Sequence, residues 1–277
     1  KFGCSQCLSN GGCLHIGNGA ILHLLKAVGN MAKRFDDKVV VITGGTEGIG
    51  LTTAKAFAAE GAHVYITGRR RDRLDDAVEE IGDGAVGVQG DVSNLADLDR
   101  LYAQIGGDHG RVDVVFANAG VSESAPVGGI DEDHFDRVFG INVKGTVFTV
   151  QKALPLMSAG GAVVLAGSGA GSKGFADLSI YSATKAAIRS FARTWTTDLK
   201  SLGVRVNVVS PGMVLTPAMQ TYLQNNEGAE QWMLQTIPFG RLAQTEEIAK
   251  AVLFLASDES SFVGGEELLV DGGFVAV

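Results

Sequence analysis

Between Val39 and Val270 the chain alternates short apolar, mostly β-branched runs with longer stretches whose apolar positions recur every three or four residues. The second pattern marks a helix buried along one face, and a short continuous run marks a strand covered on both faces. Strands are therefore predicted at Val39–Thr43, His63–Thr67, Ala85–Gln89, Asp113–Ala117, Ala162–Ala166, Val204–Val209 and Glu267–Val270. Helices are expected near 50–60, 72–81, 94–106, 132–157, 179–202 and 245–257. This order predicts an α/β fold: a doubly wound, seven-stranded, mostly parallel sheet with helices on both faces and right-handed crossovers. No linker-like composition or internal repeat interrupts residues 35–277, so 31–277 reads as one domain. In such a sheet ligands sit beyond the carboxyl ends of the strands, and the residues that follow each strand carry the chemistry.

Composition narrows the classes. With 45% apolar residues in 277, the chain can bury a substantial core, which excludes disorder. A net charge of -8 argues against binding a nucleic-acid backbone, and no uncharged apolar run approaches the ~18 residues of a membrane span. The 38 glycines are about twice the share of an average chain. Residues 1–30 differ from the rest: they hold all three cysteines, two of five histidines and no acidic residue, and Met31 resembles a natural start. They read as a leader or tag outside the fold. The alternative is a metal site from Cys4, Cys7, Cys13 and His15, although zinc ligands are usually paired further apart. With no cysteine after residue 30 there is no disulfide framework, and a reducing, cytoplasmic setting is expected. His63, His109 and His134 lack metal-ligand spacing and read as strand or surface residues.

The first strand runs into Thr43-Gly44-Gly45-Thr46-Glu47-Gly48-Ile49-Gly50, where a helix begins. Gly44 permits a tight turn, Gly48 lets backbone approach a pyrophosphate, and Gly50 lets helix and strand pack closely. The helix N-terminus then offers free N–H groups and a positive dipole end to phosphates. A Walker A loop is excluded, because no Lys-Ser/Thr follows the glycines.

Farther on, Tyr181 and Lys185 stand four residues apart near the start of a predicted helix, so phenol and ammonium share one face. A neighbouring ammonium is expected to favour phenolate and lower the phenol's pKa. The fifth strand ends at Ala166-Gly167-Ser168, thirteen residues before Tyr181. A serine-hydrolase elbow is excluded there, because Ala166 and Ala170 occupy its glycine positions.

The spacing Thr-Gly-x3-Gly-x-Gly, with Ser168, Tyr181 and Lys185, resembles the short-chain dehydrogenase/reductase family in its single-domain branch, over roughly 36–277. The resemblance implies a Rossmann-like fold and a catalytic set of Asn142, Ser168, Tyr181 and Lys185. Asn142 in that set disturbs a helix and holds a water that links Lys185 to solvent. It further implies cofactor contacts from the whole loop (Gly44, Thr46, Glu47, Gly48, Ile49 and Gly50) and from Tyr181 and Lys185. Asp91-Val92 resembles the adenine contact and Asn118-Ala119-Gly120 the Asn-Ala-Gly motif. Pro211, Gly212, Val214 and Thr216 are expected to meet the nicotinamide amide.

After the second strand, Gly68 stands where an acid that binds the ribose 2′-OH is usual in NAD enzymes, and Arg69 and Arg70 follow. A planar guanidinium suits a 2′-phosphate, which favours NADP(H) and leaves NAD(H) as the alternative. Glu47 weighs the other way, because some NADP enzymes of the family are basic there.

The implied reaction is reversible hydride exchange between a nicotinamide and a carbonyl or secondary alcohol. Met213–Arg241 reads as a lid, and its Met213, Leu215, Met219, Tyr222, Leu223, Trp232, Met233 and Phe239 suggest an apolar or aromatic ketone. Ketone, 3-oxoacyl, sugar and steroid reductases all share the pattern, and no residue chooses among them. A catalytically silent cofactor sensor would be expected to lack Ser168, Tyr181 or Lys185. A sugar-nucleotide epimerase would show a different glycine spacing. Relatives are commonly homotetramers that pair their two long helices.

Overall fold

Residues 33–277 are described by a computed structural model. The leader and the cysteine–histidine cluster proposed within 1–30 lie outside the described residues. Seven strands pair side by side in one sheet: β1 (Val39–Thr43), β2 (His63–Gly68), β3 (Ala85–Gln89), β4 (Val112–Ala117), β5 (Met157–Ala166), β6 (Arg205–Pro211) and β7 (Glu267–Val270). Their spatial order is β3-β2-β1-β4-β5-β6-β7, and every pairing is parallel. The order reverses at β1, between β2 and β4, where a doubly wound sheet opens its crevice.

Alternation along each strand divides the core into two layers. Val39 and Val41 of β1 face one side, where Leu98, Leu101 and Ile105 of α3 (Leu95–Asp108) and Ile188 and Ala192 of α6 (Ser179–Asp198) cover them. Val40 and Ile42 face the other side. There they meet Ala54 and Phe57 of α1 (Gly48–Ala59), Leu74 of α2 (Arg71–Ile81), and Ile248 and Val252 of α9 (Thr245–Ala256). All four β1 valine and isoleucine side chains are fully buried, which accounts for the apolar run. Among the described residues no helix is long and apolar enough to cross a membrane.

Three expectations need correction. The helical stretch at 132–157 is divided, at the Asn142 expected to disturb it, into α4 (Glu132–Phe139), a π turn at Gly140–Lys144 and α5 (Gly145–Ala153), and a 3-10 turn at Leu154–Leu156 then ends it. Gly140 and Gly145 flank the π turn, and Pro155 ends the helical ladder. Strand β5 begins at Met157 instead of Ala162; its exposed Ser158–Gly160 stretch hides the start, and the register with β4 shifts there. The expected lid contains two helices with no predicted counterpart, α7 (Pro217–Asn225) and α8 (Ala229–Thr236).

Candidate active site

The carboxyl ends of β1, β4, β5 and β6 converge on one cleft. At β1 the chain turns through Gly44 (φ 66°) and Gly48 (φ 55°), both left-handed. A Cβ on Gly50 would lie 2.1 Å from the Gly44 carbonyl oxygen, so no side chain fits where α1 enters. A Cβ on Gly48 would come within 3.3 Å of the Thr216 methyl, which places the turn opposite the segment after β6. Glu47 stands at the N-cap of α1 but makes no side-chain bond to it. The turn thus presents bare Cα atoms and an uncapped helix N-terminus, the features a dinucleotide pyrophosphate requires.

Asn118, just beyond β4, holds this turn in place. Its Nδ2 donates to the carbonyl oxygens of Thr43 (3.0 Å) and Gly44 (3.1 Å). Thr43 Oγ1 in turn accepts from the backbone N–H groups of Asn118 and Ala119, each at 3.1 Å. The bracing of strand ends is therefore what Asn118 visibly does.

At the next strands Asp91 organises a turn: its Oδ1 accepts from the N–H (2.9 Å) and hydroxyl (2.7 Å) of Ser93. Val92 beside it packs where a Cβ on Gly145 would be, at 2.6 Å. Beyond β6, Gly212 donates to Val270 and Val214 is buried. The Thr216 hydroxyl caps α7 by accepting from the Met219 N–H at 3.2 Å, with Pro217 at the first helical position.

Tyr181 and Lys185 project from the first turns of α6, and Ser168, in the loop after β5, stands beside the Tyr181 phenol. The Ser168 oxygen also accepts from the Ala170 N–H at 3.2 Å, which fixes its rotamer. Lys185 is buried, with its Nζ donating to the Ala166 carbonyl oxygen (2.8 Å) and lying 5.6 Å from the Tyr181 ring. Asn142 occupies the π turn, 2% exposed. Its Oδ1 accepts from the Val121 N–H (2.8 Å), and its Nδ2 donates to Val121 O (2.9 Å) and Thr184 Oγ1 (3.1 Å). Thr184 Oγ1 donates to the Tyr181 carbonyl oxygen (2.6 Å). A Cβ on Gly120 would sit 3.2 Å from Asn142 Oδ1 and 3.6 Å from Lys185 Nζ, so this glycine keeps the space between them open.

Residues 44–275 match the family described as enoyl-(acyl carrier protein) reductase. A solved structure titled short chain dehydrogenase/reductase family protein superposes with a TM-score of 0.79 at 41% identity, covering 88% of this chain and all of its own. This chain belongs to the short-chain dehydrogenase/reductase family. It is accordingly an NAD(P)-dependent oxidoreductase acting on CH–OH groups. Similar proteins include oxidoreductase asL5 of Sarocladium schorii, 44% identical over 88% of this chain and 98% of its own length. The 3-oxoacyl-(acyl-carrier-protein) reductase FabG of Thermotoga maritima is 36% identical over 87% and 99% of the two chains. Cyclopentanol dehydrogenase of Comamonas testosteroni is 38% identical over 88% and 99%.

Within this short-chain dehydrogenase/reductase site the electrostatics depart from expectation. Burial pushes the Tyr181 phenol above its ordinary value, and the Ser168 hydrogen bond pulls the other way. Burial also pushes the Lys185 ammonium down, to about 8. The side chain of Asn142 is also fully engaged, as a clamp between the loop after β4 and α6. Thr184 completes that clamp and was not singled out from sequence, because a mid-helix threonine commonly bonds back to its own helix.

Two further differences concern the periphery. Tyr222, Trp232 and Phe239 of the lid are exposed. Of the lid residues singled out above, Met213, Leu215, Met219, Leu223 and Met233 join its apolar cluster, whose aromatic members are Phe175 and Phe274 from outside the lid. His134 is buried at the start of α4 and not on the surface. Arg69 and Arg70 are exposed at the end of β2, and Arg70 pairs with Glu47 at 3.7 Å.

Proposed function

We propose that this enzyme interconverts a neutral ketone and its secondary alcohol, with NADP(H) as the preferred cofactor. The observation that carries the reaction is the meeting of Ser168, Tyr181 and Lys185 at the carboxyl ends of β4 and β5. When bound, the nicotinamide cofactor supplies or takes up the hydride. The Ser168 hydroxyl and the Tyr181 phenol hold the carbonyl oxygen between them. The raised pKa of Tyr181 keeps its proton in place until negative charge develops on that oxygen, and the phenol then donates it. Lys185 would hold the ribose and, as an ammonium, stabilise the phenolate left behind. The space beside Gly120, between Lys185 and Asn142, is the route by which the proton returns.

Three features support the cofactor preference. No acid stands at Gly68, and a Cβ there would meet the Thr46 methyl at 2.4 Å. Arg70 is countered by Glu47, whereas Arg69 makes no ion pair among the described residues. The fork of Arg69 is thus available to a 2′-phosphate. A neutral substrate fits the apolar floor of the lid. It also fits the engagement of nearby cations: Arg137 pairs with Glu123 at 2.6 Å, and Lys173 bonds backbone carbonyl oxygens. A carrier-bound 3-oxoacyl thioester is the second reading, favoured by the likeness to the Thermotoga maritima reductase.

The test is consumption of NADPH and of NADH across ketones and 3-oxoacyl thioesters. Arg69→Ala should raise the KM for NADPH by about tenfold or more, as loss of a charged hydrogen bond does, with little change for NADH. Equal effects on the two cofactors would overturn the NADP(H) preference.

A further inference from the structure

The loop that carries Ser168 is fastened to a segment from the opposite side of the cleft. After β7, Asp271 accepts N–H bonds from Gly273 (2.9 Å) and Val275 (2.8 Å), while Gly272 and Gly273 take left-handed φ values of 63° and 86°. This turn folds Phe274 and Val275 back toward the sheet. Phe274 is buried, with its ring stacked on Phe175 at a centroid distance of 5.6 Å. Val275 lies against Gly169, where a Cβ would meet its Cγ2 at 3.0 Å. Gly169 directly follows Ser168, so the valine touches backbone adjoining the hydroxyl that the proposed reaction uses.

Lys173 is the strap. Its backbone N–H donates to the Gly169 carbonyl oxygen at 3.0 Å, and its Nζ donates to the carbonyl oxygens of Phe274 and Val277, each at 2.9 Å. The same ammonium stands 4.4 Å from the centroid of the Phe274 ring, within cation–π range. The strap joins this segment to the Ser168 loop, while the lid holds it from the other end, with the Phe239 N–H donating to the Gly272 carbonyl oxygen at 3.3 Å. Val275 is only partly buried, with one face on Gly169 and the apolar cluster of the lid beside it.

We propose that Phe274 and Val275, strapped by Lys173, form a fixed wall that limits the bulk of the ketone substituent lying beside Ser168. Val275 is the specificity-determining residue, and Lys173 is a positioning residue that acts through it. The inference rests on Ser168 holding the carbonyl oxygen, as proposed above.

The experiment compares kcat/KM for cyclopentanone with that for the bulkier 1-tetralone. Val275→Ala should shift the ratio toward the bulkier ketone by about tenfold, the scale of a few apolar atoms in a pocket, and Val275→Phe should shift it the opposite way. Lys173→Gln should move the ratio in the same direction as Val275→Ala, and Lys173→Arg should restore it. The Kd of the nucleotide should stay at the parent value in all four. If Val275→Phe does not fold, Val275→Leu takes its place. Unchanged ratios in an active parent and its variants overturn the wall and leave the role of Ser168 standing. A parent that binds nucleotide but reduces no ketone overturns the proposed ketone reaction and the wall together.

Discussion

The two ends of the sheet are built from opposite materials. At the amino ends of the strands, charges close the structure. Arg111 spans Asp37 (2.8 Å) and Asp113 (3.1 Å), Lys38 reaches Asp113 (3.3 Å), and His63 reaches Asp37 (3.4 Å). At the carboxyl ends of β1, β4 and β5, neutral groups bond to backbone: Asn118 to the β1 turn, Asn142 to Val121, Thr184 to Tyr181. The one buried lysine or arginine among the described residues, Lys185, lies there and has a carbonyl oxygen for a partner instead of a carboxylate. Exposed ion pairs add little to stability and tolerate change. Neutral bonds to backbone fix position without adding a counter-charge, so no carboxylate among the described residues pairs with Lys185.

The difference is best broken at Tyr181. Tyr181→Phe should lower kcat by a factor of about 100 to 10,000, the usual worth of a general acid, with nucleotide Kd unchanged by titration. Parent-like turnover would remove the phenol from the mechanism. Next in size is the pH dependence. Lys185 is charged below about 8 and loses its proton as pH rises through that value. Tyr181, pushed upward, keeps its proton over the same range. For carbonyl reduction kcat/KM should therefore fall about tenfold per pH unit above 8, since it reports groups of the free enzyme. A plateau to the ordinary lysine range would assign the limb elsewhere. Gly50→Ala comes third: its Cβ would press on the Gly44 carbonyl, and overpacking of this kind costs about 1–3 kcal/mol. Denaturant unfolding and nucleotide binding should both show it. The smallest effect is expected at the closed end. Arg111→Met should leave kcat/KM unchanged and lower Tm slightly near neutral pH. Arg111 holds the Asp37 pKa below its ordinary value, so the difference in Tm should fade as pH falls below the carboxylate range.

Legibility in the sequence followed the same division. Apolar runs such as Val39–Thr43 announce buried parallel strands, and the spacings of Gly44, Gly48 and Gly50 and of Ser168, Tyr181 and Lys185 announce their turn and helix face. Those features are local. The break at Gly140–Lys144 was implied only by the resemblance, which has Asn142 disturb a helix; the pattern alone did not mark it, because the packing of Asn142 against Val121 depends on a loop about twenty residues earlier. Helices α7 and α8 are short and carry exposed Tyr222 and Trp232, so no apolar stripe marked them. The direction of the Tyr181 shift was missed because pairing with Lys185 is visible in spacing, whereas burial is not.

The sheet order has a consequence for how the chain is made. Strands β1, β2 and β3 are laid down in order on one side, and each later strand from β5 onward joins its predecessor. Only β4 returns to β1, closing a loop of about seventy residues. The Gly44 turn is held by Asn118, which follows that same strand. On the ribosome, a chain that has not yet reached Asn118 carries the glycine loop without its brace. The brace of the nucleotide turn therefore comes from the far side of the longest strand-to-strand return in the sheet.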